Sequence, residues 1–93
     1  MHEHAPRVVL EGDHKALGIH KRTWRAECPL HVRQEPSRKA LASGVLDPGD
    51  VVIAFDMFVG LDGNWIRHEL GWSMTEASDN PAKKHLTLCP ADH

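Results

Sequence analysis

VVIAFDMFV, residues 51–59, is the most apolar stretch of this 93-residue chain. It is built almost wholly from β-branched and aromatic side chains, which suit a pleated surface better than a helix. Read with a period of two, it is one strand. Val51, Ile53, Phe55, Met57 and Val59 share the face expected to meet a core, and Val52, Ala54, Asp56 and Phe58 share a partly solvated face. On that reading Phe58 is exposed near the tip of a hairpin.

The flanks support a strand. Asp47-Pro48-Gly49-Asp50 precedes it, with Pro at the second and Gly at the third position of a type II turn. Gly60-Leu61-Asp62-Gly63-Asn64 follows, and its Asp-Gly pair is a strong hairpin cue that turns the chain back through NWIRHEL.

Alternation extends in both directions. Trp24, Ala26 and Cys28 share one face of TWRAEC, Pro29 interrupts, and Leu30 and Val32 point inward from LHVR. Pro36 and Ser37 mark QEPSRKALASG as an irregular loop. Asp79-Asn80-Pro81 reads as a turn before a last strand in which Leu86 and Leu88 share a side. Residues 1–21, rich in His and charge with only Val8-Val9-Leu10 as an apolar cluster, read as a tail or an edge strand, and residues 22–93 as the domain. The chain is therefore expected to be all-β, a small barrel of five to six short antiparallel strands, closed so that no edge stays open.

Composition narrows the classes of function. Eleven Lys and Arg against thirteen Asp and Glu give a net charge of -2, and the basic residues are scattered, so neither nucleic acid nor an anionic membrane is expected as a partner. No apolar run is long enough to cross a bilayer and the N-terminus has no secretory pattern, which leads to the expectation of a soluble, cytoplasmic protein. Two cysteines, Cys28 and Cys89, are too few for a disulfide framework, and two free thiols are expected rather than one bridge.

In order, the segments resemble the bacterial-type Src-homology-3 domain. Leu30-His31-Val32-Arg33 resembles its first element and Pro36-Ser37 its turn, and Gly44-Val45-Leu46 resembles a short strand. Gly49-Asp50-Val51-Val52 then resembles the entry to the central hairpin, Trp65-Ile66-Arg67 its return strand, and Gly71-Trp72 the closing signature. The resemblance covers residues 23 to about 76. It implies a Src-homology-3-like barrel in which the long loop and the central hairpin flank a groove whose aromatic side chains hold a peptide or a glycan. Gly71 would let the backbone approach a neighbour closely, and Trp72 would turn into or across the open end of the barrel. The extended hairpin, the long stretch after Trp72 and the first 21 residues have no counterpart in that pattern.

Catalytic and metal chemistry is weakly supported by spacing. If Cys28-x-x-His31 and His85-x-x-x-Cys89 lie on strands, the first pair points to opposite faces and the second is separated by about 13 Å, so neither chelates locally. His2 and His4 form a terminal pair that could hold Ni or Cu loosely. No local signature surrounds either thiol, the carboxylates of Asp50, Asp56, Asp62 and Glu69 fall at turns and strand ends, and no glycine-rich loop opens a helix. No cofactor is expected.

What remains is a recognition surface. Trp24, Phe58 and Trp65 are the candidate aromatic contacts, with Arg33, Arg67 and His68 as polar partners, while Trp72 reads as core. The expected function is a noncatalytic binding module recognising a protein or peptide, within a larger protein or a complex. Cell-wall glycan targeting and a small metal-dependent or thiol enzyme are the alternatives. The oligomeric state is open.

Overall fold

The computed structural model describes residues 11–90. All of its strand pairings are antiparallel, and they form two sheets. The larger runs in the order β1 (Gly12–Ala16), β6 (Asp56–Gly60), β7 (Gly63–His68), β8 (Gly71–Ala77), β3 (Leu30–Arg33), β4 (Ala42–Leu46). The smaller runs β5 (Val51–Ala54), β2 (Arg22–Ala26), β9 (Leu86–Leu88). A 3-10 turn at Gly18–His20 is the sole helical element among the described residues, and none of them forms a helix long and apolar enough to cross a membrane.

The all-β expectation holds, with three differences. Nine strands stand where five or six were expected, because the 51–59 segment divides and both Gly12–Ala16 and Gly71–Ala77 form strands. The sheets do not close into a cylinder, and β1, β4, β5 and β9 are edges among the described residues. Within residues 1–21, read as a tail or an edge strand, Gly12–Ala16 forms β1, paired with β6 from Gly12↔Gly60 to Ala16↔Asp56, whereas Val8-Val9-Leu10 lies outside the described residues.

The third difference concerns the decisive stretch itself. At Phe55 the chain leaves one sheet and enters the other: the Phe55 N–H donates to the Arg67 carbonyl at 2.7 Å, and its own carbonyl accepts the Leu17 N–H at 2.9 Å. The alternation slips by one residue at this corner. Before it, Val52 and Ala54 face the core between the sheets while Val51 and Ile53 are exposed; after it, Met57 packs against that core, and Asp56 and Phe58 turn to the far face of the larger sheet. The expectation that 51, 53, 55, 57 and 59 share an inward face is therefore corrected, because a strict period of two assumes an unbroken strand.

Two apolar clusters result. Ala26, Leu30, Val32, Leu46, Val52, Ala54, Ile66 and Leu86 fill the space between the sheets, flanked by Leu17, Trp24 and Met57. Phe58, Trp65, Met74 and Ala77, with Trp72 against them, lie on the far face of the larger sheet. The turns behave as their residues require: Gly49 has φ +94° and the Asp50 N–H donates to the Asp47 carbonyl at 3.0 Å, as a type II turn demands. Gly71 makes the close approach expected of it, since a Cβ there would stand 2.7 Å from the Arg33 carbonyl oxygen.

Candidate functional site

The register of the larger sheet sets one row of side chains across all six strands. Ala16 pairs with Asp56, Asp56 with Arg67, Arg67 with Trp72, Trp72 with Arg33, and Arg33 with Ala42. Directly paired residues point to the same side, so half-buried Trp72 lies between two arginines. Arg67 forms an ion pair through Nε with Asp56 Oδ2, and His14 Nε2 lies 3.7 Å from the same oxygen. His14 and Phe58 meet Trp72 edge to face, with ring centroids 6.1 and 6.5 Å away. The Arg67 guanidinium also lies 5.9 Å from the centre of the Phe55 ring, a cation–π distance. Arg33 donates through one terminal nitrogen to the Ala40 carbonyl at 2.9 Å, which leaves the rest of its fork for a partner.

The neighbouring row, Phe58 against Trp65 against Met74, belongs to the same face but is buried. Asp62, in the turn between β6 and β7, fastens the β3–β4 loop there. One carboxylate oxygen accepts the Trp65 indole N–H at 3.2 Å, and the other accepts the backbone N–H of Arg38 at 3.2 Å. Within that loop Pro36 and Ala40 are buried. Two depressions flank it. One, of about 320 Å³, lies against Phe58, Ser37 and Leu61. The other, of about 200 Å³, is bounded by His31, Arg33, Arg38, Trp65, Met74 and His85.

Of the six side chains expected to form a recognition surface, Arg33, Phe58, Trp65 and Arg67 share this face. Arg33 and Arg67 reach solvent, with Arg67 about half exposed. Phe58 and Trp65 do not: they are 6% and 2% exposed, and the expected exposure of Phe58 is corrected because the outer face of the larger sheet carries its own apolar cluster, in which Phe58 packs with Trp65, Met74 and Trp72. Trp24 sits on the smaller sheet beside the inter-sheet core, its Nε1 buried without a hydrogen-bond partner among the described residues.

His68 is also elsewhere, buried in a polar pair with Ser73. Its Nδ1 accepts the Leu70 N–H at 3.3 Å, so in the neutral ring Nε2 carries the proton and donates to Ser73 Oγ at 2.9 Å. Ser73 Oγ in turn donates to the His31 carbonyl at 3.1 Å. The imidazole lone pair does not face the hydroxyl, so this is a structural tie and not a base activating a nucleophile. Burial pushes the His68 imidazole below its ordinary pKa, opposed by the nearby charge of Glu69. His85 is lowered as well, first by burial and then by Lys83 and Arg38.

Among the described residues no three His, Cys, Asp or Glu side chains converge as a metal site would require, and His2 and His4 lie outside them. Trp72 is the participant that pattern reading assigned to the core. Gly71 beside it was the available signal, because a glycine allowing β8 to approach Arg33 also fixes the indole between the arginines. No family model matches this chain, and neither a curated protein nor a solved structure matches it.

Proposed function

We propose that this chain is a noncatalytic binding module, an open variant of the Src-homology-3-like barrel, which recognises a protein or peptide through the outer face of its larger sheet. The observation carrying this reading is the Arg67–Trp72–Arg33 row. Aromatic and arginine side chains are the residue types that dominate protein recognition energetics. Strand pairing and the Asp56 ion pair hold these three in place, so little conformational freedom is lost on binding. The depressions favour a chain-like ligand over a metabolite, since about 200 and about 320 Å³ fall below or at the floor of the roughly 300–1,000 Å³ of small-molecule sites. The hydrogen-bond direction at His68 and Ser73 supports a noncatalytic role.

The test is selection from a displayed library of random dodecapeptides, followed by titration against the folded protein and its Arg33→Gln variant. Enriched peptides whose binding weakens in that variant are the expected result. Peptides that bind Arg33→Gln and the parent protein equally, and that leave the Trp72 indole resonance unmoved, would refute this face as the site.

A further inference from the structure

Resting on the reading of this face as a peptide surface, we infer that the depression between Arg33 and Arg38 receives an acidic side chain of the bound peptide, a glutamate or aspartate flanked by apolar residues. Four of its eight lining residues, His31, Arg33, Arg38 and His85, are basic types, none is acidic, and its apolar part comes from Trp65 and Met74 together with Pro29 and Leu30. Arg33 and Arg38 offer planar forks that match a carboxylate in two-point contact.

The carboxylates nearby do not fill that role. Asp62 is engaged by the Trp65 indole and the Arg38 backbone, and Glu76 is bridged to Lys84 at 2.8 Å. Asp79 approaches an Arg38 terminal nitrogen only at 3.8 Å from a largely exposed position, a loose pair that an incoming carboxylate can replace. A volume of about 200 Å³ limits the occupant to a side chain of a longer partner. A nucleic acid fits less well: its continuous run of phosphates would pass Asp62 and Asp79 beside Arg38 and Glu76 beside His85, on a chain of net charge -2.

The experiment uses the full chain, labelled with ¹⁵N, and three probes: a capped hexapeptide of alternating leucine and glutamate, its glutamine counterpart, and an eight-nucleotide thymidine oligomer. The glutamate peptide is expected to move the Trp65 indole and Arg33 side-chain resonances. It should bind about tenfold or more tightly than the glutamine peptide, as one charged hydrogen-bonded contact provides. That advantage should shrink in Arg38→Gln, a loop position whose side chain is about half exposed, and with added salt. Equal binding of the two peptides would overturn the preference for acid while leaving the peptide surface standing. Tighter binding of the oligomer would overturn it in favour of nucleic acid. If neither peptide moved any resonance of the larger sheet, the inference would fall and so would the functional reading beneath it.

Discussion

Replacing Gly71 by Ala tests the contact on which the arginine–tryptophan row depends. A Cβ at this position would lie 2.7 Å from the Arg33 carbonyl oxygen and 2.9 Å from Val32 Cγ1, and the backbone has φ +143°, a conformation reserved almost wholly for glycine. The backbone strain costs about 1–3 kcal/mol and the crowding about 1–3 kcal/mol more. The expected loss is therefore about 2–6 kcal/mol out of the roughly 5–15 kcal/mol that stabilises a typical domain. Two further glycines set the scale. Gly18 has φ +57° but nothing within 4 Å of the place a Cβ would occupy, so Gly18→Ala should lose only about 1–2 kcal/mol. Gly44 has neither crowding nor a positive φ, and Gly44→Ala should be neutral or stabilising by up to about 1 kcal/mol. Urea unfolding followed by tryptophan fluorescence gives all three differences, provided the denaturant slope stays constant. If Gly71→Ala were no more harmful than Gly18→Ala, β8 would not lie against β3 as described, and Trp72 would not stand between Arg33 and Arg67.

Stability should fall as pH drops below about 6.5, the ordinary histidine value, because His68 and His85 are lowered in the folded state and the unfolded chain then binds more protons. Urea midpoints compared at pH 7.5 and 5.5 measure this, and a His68→Gln variant should show a shallower dependence; an unchanged midpoint in the parent protein would contradict the burial of these rings. Asp62→Ala removes the acceptor of the Trp65 indole and of the Arg38 N–H, and should cost about 1–3 kcal/mol with faster hydrogen exchange at Arg38. Protection at Arg38 equal to that of the parent would mean that the loop is held by something other than Asp62. Thiol titration should find two reactive cysteines per chain without reductant: the Cys89 N–H bonds the Thr23 carbonyl, and Cys28 lies five residues further along the chain, about 16 Å at strand spacing. A single intramolecular bridge would contradict the pairing of β2 with β9.

Local chemistry made much of this fold readable. The Pro48-Gly49 turn, the hairpin through Asp62-Gly63 and the inward Leu30 and Val32 follow from residue type within a few positions, and all appear in the structure. β8 was harder to foresee because Gly71, Ser73, Thr75 and Glu76 dilute its apolar signal. Its Ser73 and Thr75 are nevertheless buried, their hydroxyls donating to the His31 and Asn64 carbonyls at 3.1 and 3.2 Å. Such bonds depend on partners distant in sequence, so no short window contains them.

The site was legible in its residue types but not in its assembly, and Phe55 shows why. A nine-residue apolar run gives no indication that its middle residue bonds Arg67 on one side and Leu17 on the other, yet those bonds form the corner at which the alternation slips. Without the slip, Asp56 would point between the sheets, where an unpaired carboxylate is costly, and Phe58 would follow it to that side, away from Trp72 and Met74. With it, Asp56 reaches Arg67, Phe58 packs on Trp65, and the arginine held by Asp56 stands beside Trp72. The charge of Asp56 is thus a reason for the corner as well as a part of the site: the one acidic residue in the run is placed where the next strand supplies its cation, and the recognition face inherits its geometry from that requirement.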